Sequence, residues 1–311
     1  MASKLRAAVI GVGHMGKNHA RIYHELPGVE LVAVVDQHKQ AAKSVAERYR
    51  CEPYLSLKTM LRRINLDVAS IVTPTVFHFD HAIRLIDRGV AVLVEKPLAD
   101  DVDSACCIRD RGYHPKTIIA VGHIERCNPS VRLVKELINK GEVGDIFRIS
   151  TKRVGPSPHR IRDVGVTQDL AVHDLDIMRY LTDSEPVGYS AMVQRRRHNG
   201  FDDSVDALVQ FKNGVVGVLE CDWLTPAKYR TLHIIGSEGA IELDYIKQTI
   251  RVRRNASDHA ERWVEVWREP LKIEIEEFLA AVRGKGKPAA TAQDGYMAVK
   301  MAHKLLEVAS G

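Results

Sequence analysis

The first part of the chain alternates short apolar runs with segments of helical periodicity. Five runs rich in Val, Ile and Ala are candidate strands, at residues 6–10, 30–36, 68–72, 91–95 and 118–122. Between them, apolar residues recur at three- and four-residue intervals, as at Ala82, Leu85 and Ile86. Strands that are apolar throughout need helices on both sides, so this alternation predicts a parallel, doubly wound α/β sheet.

The pattern changes near residue 123, where a predicted helix over residues 129–139 leads into a β-rich half. The turns at residues 212–214 (Lys-Asn-Gly) and 236–239 (Gly-Ser-Glu-Gly) are hairpin signals, so the second sheet is predicted to be large and mostly antiparallel. Its candidate strands cover residues 146–153, 187–194, 205–211, 215–222, 230–235 and 240–245. The remaining predicted helices cover residues 168–181, 271–282 and 293–308.

The length of the chain supports a division into two domains. At 311 residues it exceeds the roughly 100 to 200 residues typical of one domain. We predict a dinucleotide-binding α/β domain over residues 1–123 and a substrate-binding and oligomerisation α+β domain over residues 124–311. The C-terminal helix is a candidate to pack back on the first domain.

Charge, cysteine content and hydropathy argue against several kinds of partner. The net charge of +5 and the aromatic content of 6% do not give the long basic and aromatic stripe of a nucleic-acid groove. The five cysteines have no C-x-x-C spacing, so neither a disulfide framework nor a zinc site is indicated. No run approaches the roughly 20 apolar residues of a membrane span. We expect a cytoplasmic protein with no metal, no nucleic-acid partner and no membrane partner.

A glycine motif follows the first candidate strand. Gly11-Val12-Gly13-His14-Met15-Gly16 fits G-x-G-x-x-G, and the second strand ends on Asp36, twenty residues after Gly16. The glycines let the backbone approach a pyrophosphate, the helix N-terminus stabilises its charge, and an acidic side chain accepts hydrogen bonds from both ribose hydroxyls of NAD. Asp36 also repels the 2′-phosphate of NADP, although His38 and Lys39 could accommodate it. The motif predicts a Rossmann domain that prefers NAD.

Two further segments carry candidate proton-transfer groups. The fourth long strand ends in Glu95-Lys96-Pro97, which places a lysine at the carboxyl edge of the sheet, where ligands bind in this architecture. Asp169 and His173 are four residues apart on a predicted helix, so they share one of its faces. A lysine, a carboxylate and an imidazole together form a plausible set for acid–base chemistry.

Four motifs in this order resemble those of the glucose–fructose oxidoreductase and inositol dehydrogenase (Gfo/Idh/MocA) family. They are Gly11-x-Gly13-x-x-Gly16, Thr73-Pro74, Glu95-Lys96-Pro97 and Asp169-x-x-x-His173. In that family the lysine and the histidine lie beside the nicotinamide and the carbon that loses hydride. The resemblance implies Lys96, Asp169 and His173 as catalytic residues. It also implies cofactor contacts at Gly11, Gly13, His14, Met15, Gly16, Asp36, Thr73, Pro74, His78, Glu95 and Lys96.

The reaction that the resemblance implies is oxidation of a sugar hydroxyl by NAD. The hydroxyl proton must leave as hydride is transferred, so a base with a pKa near neutrality is useful. We interpret His173 as this base and Lys96 as the group that orients and polarises the oxygen. The two roles can also be exchanged.

Residues 122–129, 153–160 and 223–230 resemble the subgroup that oxidises the 3-hydroxyl of UDP-N-acetylglucosamine and related nucleotide sugars. The subgroup has Phe where this chain has Cys127. The cations Arg126, Arg160, Lys228 and Arg230 suit a diphosphate. The implied substrate-binding residues are Glu125, Arg126, Asn128, Arg153, Arg160, Asp169, His173, Trp223, Lys228 and Arg230.

Other functions stay open at this point. The chain could be a dehydrogenase of a free sugar, of inositol or of a UDP-sugar acid. A different class is a catalytically silent NAD-binding regulator, against which the presence of Lys96, Asp169 and His173 argues. Because helices are predicted on one face of the antiparallel sheet, we expect its other face to be covered by self-association into a homodimer or homotetramer.

Overall fold

The structure is a computed structural model, and it describes residues 4–114, 117–157, 164–197, 200–255 and 261–310. The chain divides into two compact units. The first comprises residues 1–123 and 271–296, and the second comprises residues 124–270 and 297–311. Within the described residues, no helix is both long and apolar enough to cross a membrane.

The first unit contains a parallel sheet whose strand order is β3-β2-β1-β4-β5-β6. Its strands are β1 (Leu5–Ile10), β2 (Val29–Val35), β3 (Glu52–Tyr54), β4 (Val68–Ile71), β5 (Ala91–Glu95) and β6 (Ile119–Gly122). The connecting helices are α1 (His14–Glu25), α2 (Lys39–Tyr49), α3 (Leu57–Met60), α4 (His78–Ile86) and α5 (Val102–Arg111). The strand order reverses between β1 and β4, and in such sheets ligands bind outside the carboxyl ends of the strands at this point.

The second unit is built on an eight-stranded sheet of order β14-β13-β12-β11-β7-β10-β9-β8. The pair β7–β10 is parallel and the other neighbouring pairs are antiparallel. The strands are β7 (Ile146–Val154), β8 (Pro186–Gln194), β9 (Ser204–Phe211), β10 (Val216–Asp222), β11 (Tyr229–Gly236), β12 (Gly239–Asp244), β13 (Thr249–Arg254) and β14 (Glu261–Glu265). Together with the parallel sheet of the first unit, this confirms the predicted fold class.

One face of this second sheet is packed by α6 (Pro129–Asn139) and α7 (Val172–Thr182). Alternate strand residues such as Ile149, Leu219 and Leu232 point into the resulting core, where they meet Val134 and Met178. Burial of each such side chain contributes about 1.5–3 kcal/mol. Their strand neighbours on the opposite face are more exposed, as the period-two alternation of a half-buried strand requires.

The segment after the second sheet returns to the first unit. It begins with α8 (Pro270–Val282) and continues to Tyr296, within α9 (Ala292–Val308). The predicted second domain, residues 124–311, included residues 271–296, which belong to the same compact unit as residues 1–123. Two long-range contacts connect residues 271–296 with the first unit: the Arg283 Nη2 hydrogen bond to the Gly28 carbonyl (2.9 Å) and the bridge between Ala120 and Thr291.

The sequence pattern also missed three strands, for identifiable reasons. β3 is three residues long and contains Pro53, which weakens any strand signal. β13 has only two large apolar residues, Ile250 and Val252, among three arginines, so its apolar signal is weak. β14 is the edge strand beyond β13 and had no assignment.

Candidate active site

The three glycines of the first motif have three different surroundings. Gly11 has a φ of +91°, and a Cβ there would lie 2.5 Å from the Val72 carbonyl oxygen. A Cβ on Gly16 would lie 1.9 Å from the Gly11 carbonyl oxygen, which explains why only glycine fits the close packing of α1. A Cβ on Gly13 would meet no atom within 4 Å. The open side of Gly13, at the N-terminus of α1, therefore fits a pyrophosphate.

Asp36 follows β2 and fixes the shape of the glycine turn. Its Oδ2 accepts a hydrogen bond from the Val12 backbone N–H (3.0 Å), and its Oδ1 accepts one from the His38 N–H (2.8 Å). The side chain is only partly buried. A carboxylate in this position has lone pairs left for ligand hydroxyls, because each ionised oxygen accepts about two hydrogen bonds.

The ends of β4 and β5 carry the next two motifs. Thr73 and Pro74 follow β4, and Lys96 follows Glu95 at the end of β5. His78, the first residue of α4, connects the two segments. Its Nδ1 lies 2.8 Å from the Pro97 carbonyl oxygen and its Nε2 lies 2.9 Å from the Thr73 carbonyl oxygen. The sequence had placed Thr73, Pro74, His78 and Lys96 at one site, and within the first unit the structure brings these segments together.

Glu95 is held by a buried hydrogen-bond chain that the sequence analysis missed. His19 Nε2 contacts Glu95 Oε1 (3.1 Å), His19 Nδ1 contacts Ser70 Oγ (3.0 Å), and Ser70 contacts the Tyr23 hydroxyl (2.8 Å). His19 thus bridges the Glu95 carboxylate and the Ser70 hydroxyl, and the Tyr23 hydroxyl extends the chain by one more hydrogen bond. The Lys96 backbone N–H donates to Glu95 Oε2 (3.2 Å). This hydrogen-bond chain therefore holds the backbone at Lys96, the candidate catalytic lysine.

Burial alone would raise the pKa of Glu95. The hydrogen bond and charge of His19, followed by the charges of Lys96 and His78, more than offset this effect and hold the Glu95 pKa below its usual range. Glu95 is therefore ionised at neutral pH. Glu274 on α8 has the opposite character, because burial, followed by the charges of Glu95 and Glu277, raises its pKa well above the usual range. Neither carboxyl oxygen of Glu274 has a hydrogen-bond partner among the described residues.

Replacing Glu274 by glutamine is expected to remove a pH dependence of stability. The pKa of Glu274 is higher in the folded protein than in the unfolded protein. At a pH between these two values, Glu274 is protonated in the folded protein and ionised in the unfolded protein. Rising pH therefore lowers the free energy of unfolding by about 1.4 kcal/mol per pH unit in this range. In Glu274→Gln this slope disappears and stability at high pH increases. Urea unfolding at several pH values measures it, with the less buried Glu276→Gln as the control. Equal slopes in wild type and Glu274→Gln would contradict the assignment.

In the second unit, Asp169 and His173 lie on a distorted helical segment. Residues Thr167–Ala171 form a π-helical turn before α7, where an ordinary α-helix from residue 168 had been expected. The Thr167 N–H and hydroxyl both donate to Asp202 Oδ2 (2.7 and 2.6 Å), which anchors the start of this turn. Both Asp169 and His173 are 8% exposed. π-helical turns occur frequently at functional sites, but the local sequence does not predict one here.

Arg153 is the centre of a buried ionic cluster in the second unit. Its guanidinium donates to both carboxylate oxygens of Asp174 (2.9 and 3.1 Å) and to Glu125 Oε1 (2.8 Å), and it lies over the ring of Tyr245. Burial alone would lower the pKa of Arg153, but Asp174 and Glu125 raise it well above its usual range. Asp174 lies in the same D-L-A-V-H-D-L-D segment as His173, so its acidic spacing was visible in the sequence, although we had assigned it no role.

Arg126 forms a second buried pair in this unit. It donates to both oxygens of Asp176 (2.8 and 2.7 Å) and stacks on Tyr180. Arg126 was predicted among the loop cations for a diphosphate, and Arg153 among the substrate contacts. In the structure both arginines are paired with buried carboxylates, Arg126 with Asp176 and Arg153 with Asp174 and Glu125.

The other predicted substrate residues differ in exposure. Asn128 is buried and caps α6 by accepting from the Ser130 N–H (3.0 Å), and Trp223 is also buried. Lys228 is exposed. Arg230, the second residue of β11, has a buried Nε with no hydrogen-bond partner among the described residues. Burial, followed by Arg153, lowers the pKa of Arg230, while Glu125, Asp174 and Asp169 oppose this effect. Arg160 lies outside the described residues.

Comparison with known proteins gives the family. Residues 5–122 match the model of an oxidoreductase family with an NAD-binding Rossmann fold. Residues 131–242 match the GFO/IDH/MocA C-terminal domain. The chain belongs to the Gfo/Idh/MocA family. It is thus an NAD-dependent oxidoreductase, and the predicted family, enzyme class and cofactor are confirmed.

Several Gfo/Idh/MocA proteins match over nearly the whole chain. UDP-N-acetylglucosamine 3-dehydrogenase of Acidithiobacillus ferrooxidans is 29% identical over 297 residues, covering 89% of this chain and 88% of the relative. Scyllo-inositol 2-dehydrogenase (NAD(+)) of Bacillus subtilis is 28% identical over 311 residues, covering 94% and 90%. A solved structure of the Acidithiobacillus enzyme superposes with a TM-score of 0.89 at 27% identity, covering 99% of this chain and 98% of that chain.

Proposed function

We propose that this chain oxidises the 3-hydroxyl of UDP-N-acetylglucosamine to a 3-keto sugar and transfers the hydride to NAD. The observation that carries the choice of substrate is the similarity, in sequence and in structure, to the UDP-N-acetylglucosamine 3-dehydrogenase of Acidithiobacillus ferrooxidans. An inositol is the second candidate, because an inositol dehydrogenase is almost as similar in sequence.

The chemistry needs one base and one group that polarises the reacting oxygen. When bound, NAD accepts hydride at nicotinamide C4. The hydroxyl proton passes to His173 as the C3–H bond breaks, and Lys96 donates a hydrogen bond to the oxygen that becomes the ketone. Asp169 orients these partners without carrying a proton. Positioned acid–base help of this kind contributes about 10²- to 10⁴-fold to the rate.

A diphosphate substrate would complement the second unit at β11. Arg230 has a buried Nε without a protein hydrogen bond among the described residues, and Lys228 is exposed two residues earlier. A buried donor without a partner costs free energy that an acidic ligand can recover. This supports a nucleotide sugar or a sugar acid over a neutral inositol, and we propose that Lys228, Arg230 and Arg160 contact the phosphates.

A substrate panel tests the proposal. NADH formation, followed by its near-ultraviolet absorbance, is measured with UDP-N-acetylglucosamine, the corresponding UDP-sugar acid, N-acetylglucosamine and myo-inositol. We expect kcat/KM for the UDP-sugar to exceed that for the two uncharged compounds by at least about tenfold, since one charge-assisted hydrogen bond is worth that factor. Faster oxidation of myo-inositol would favour the second candidate, and no turnover with any compound would favour a regulator.

Asp36 is proposed to accept hydrogen bonds from the ribose hydroxyls of NAD. Asp36→Ala is expected to weaken NAD binding, by about ten- to a hundredfold for each charge-assisted hydrogen bond lost. It should also narrow the preference for NAD over NADP, because the repulsion of the 2′-phosphate is lost. Calorimetric titration measures both affinities. Since Asp36 also holds the Val12 N–H, Asp36→Asn serves as a control that keeps one carbonyl acceptor. Tighter binding of NADP than of NAD by the wild type would refute this role.

We also propose that the enzyme acts in the cytoplasm as a homodimer or homotetramer. The face of the second sheet opposite α6 and α7 carries exposed apolar side chains on several strands, namely Met192, Leu208, Tyr229 and Trp263. An exposed apolar face of this kind favours association with a second copy. Light scattering at micromolar concentration should therefore give the mass of two or four chains, and a monomeric mass would exclude the proposal.

A further inference from the structure

His78 lies where the segments that follow β4 and β5 meet in the first unit. Its side chain is 1% exposed. One ring nitrogen, Nδ1, is 2.8 Å from the carbonyl oxygen of Pro97, directly after Lys96. The other, Nε2, is 2.9 Å from the carbonyl oxygen of Thr73. A single imidazole ring therefore connects the backbone of the Thr73-Pro74 segment with that of the E-K-P segment.

These two contacts decide the protonation state of the ring. A carbonyl oxygen only accepts hydrogen bonds, whereas a neutral imidazole has one N–H and one lone pair. In either neutral tautomer the lone pair would face one of the two carbonyl oxygens at hydrogen-bond distance. Only the imidazolium has an N–H for each. We propose that His78 is a buried imidazolium that bridges the Thr73 and Pro97 carbonyl groups and so positions Lys96 relative to Thr73 and Pro74.

The charges around His78 suit a buried cation. Glu95 is an ionised carboxylate whose pKa His78 helps to lower, and the interaction is mutual, so Glu95 stabilises the imidazolium. Lys96 acts on Glu95 in the same direction. Glu95 is itself held by His19 and does not depend on His78 for its hydrogen bonds. The positive ring therefore has a fixed counter-ion in the same unit.

His81, one turn further along α4, is the other titratable neighbour. Burial lowers the pKa of His81, Asp80 raises it, and the charges of His78 and Arg84 lower it further. His81 is therefore the neutral histidine of the pair, and its Nδ1 lies 3.4 Å from the Thr73 hydroxyl. Two histidines three residues apart on one helix thus differ in charge, because only His78 has two carbonyl acceptors.

Loss of the His78 proton would release one of the two segments. The deprotonated nitrogen cannot remain against a carbonyl oxygen, so either the Thr73 or the Pro97 carbonyl loses its donor and the spacing between the segments changes. The predicted effect on catalysis rests on the roles proposed above for Lys96, Thr73 and Pro74. The charge of the ring does not rest on those roles, so it can be measured without any substrate.

Nitrogen-15 NMR of histidine-labelled wild-type protein tests the protonation state directly. The two nitrogens of an imidazolium have similar chemical shifts, whereas those of a neutral ring are far apart. The His78 signals are identified by their absence from His78→Gln and, independently of any variant, by contacts of the ring N–H protons with Thr73 and Pro97. We expect two protonated nitrogens at neutral pH. A neutral His78 ring at neutral pH would overturn the proposal, even if the enzyme proves active on the proposed substrate.

The positioning role is tested by the pH dependence of His78→Gln. The amide offers one donor nitrogen and an oxygen that repels the second carbonyl, so the KM for NAD is expected to rise, and kcat to fall, each about tenfold. In the wild type, kcat should decline over the pH range in which NMR shows His78 losing its proton, and this decline should be absent from His78→Gln. The exposed His24→Gln is the matched control and should behave as wild type. The same alkaline decline in His78→Gln would overturn the positioning role.

Discussion

Alanine at Lys96 or at His173 is expected to lower turnover about 10²- to 10⁴-fold while NAD affinity changes little. Lys96→Ala removes the hydrogen-bond donor that polarises the reacting oxygen, and His173→Ala removes the base that accepts the hydroxyl proton. Neither residue is proposed to contact the pyrophosphate or the ribose. Asp169→Asn should cost less, since its carboxylate orients the other groups and carries no proton. Steady-state kinetics on the best substrate, with cofactor titration in parallel, measures the two effects separately.

The controls for this prediction are Lys43→Ala and His24→Ala, which remove the same side chains from exposed positions on α2 and α1. Both are expected to keep wild-type turnover. If Lys96→Ala and His173→Ala also keep near-wild-type turnover, the catalytic assignment is wrong, and a regulatory role for the bound NAD becomes the better explanation.

Methionine at Arg153 is expected to destabilise the protein by about 3–5 kcal/mol. Arg153 is 1% exposed and matches two carboxylates, those of Asp174 and Glu125. Removing the cation leaves both acids buried without their partner. An unpaired buried charge destabilises the folded protein by far more than an intact ion pair stabilises it. The change should be measured by urea unfolding at neutral pH. The loss of stability should shrink at low pH, because burial raises the pKa of Asp174 and the protonated acid no longer needs a cation.

The matched control is the adjacent residue of the same strand. Lys152 pairs with Glu220 at 2.7 Å, but both side chains are about half exposed, so Lys152→Met should cost less than about 1 kcal/mol. If Arg153→Met lowers the free energy of unfolding by an equally small amount, the buried acids do not depend on Arg153 for stability. Arg153 would then be available as a cation for the substrate.

Most of the first unit could be predicted from the sequence, because the motifs that define it are short and continuous in the chain. The strand, glycine turn and helix of the nucleotide site form one continuous stretch, residues 5–25, and only glycine fits at Gly11 and Gly16. By contrast, the chain from Tyr23 through Ser70 and His19 to Glu95 joins three segments that are far apart in sequence. Neither hydrophobic periodicity nor residue spacing predicts such a network, because its members lie on separate elements and each is a common residue type there.

The second unit was harder to predict for a related reason. Arg126 was assigned to a diphosphate and Arg153 to the substrate contacts, because the sequence around an arginine does not show which acid pairs with it. Their partners, Asp176 and Asp174, lie three residues and one residue after His173. Their pairing depends on how α7 packs against residues 124–127 and against β7. The return of residues 271–296 to the first unit was likewise set by tertiary contacts and not by local sequence.

The most direct test of the proposed reaction is to follow the transferred hydrogen. UDP-N-acetylglucosamine carrying deuterium at C3 is incubated with the enzyme and NAD, and the reduced cofactor is analysed by mass spectrometry. We predict that NADH gains one deuterium and that the sugar product is a ketone at C3. Unlabelled NADH would show that another carbon is oxidised, and absence of any NADH would contradict the proposed dehydrogenase activity on this substrate.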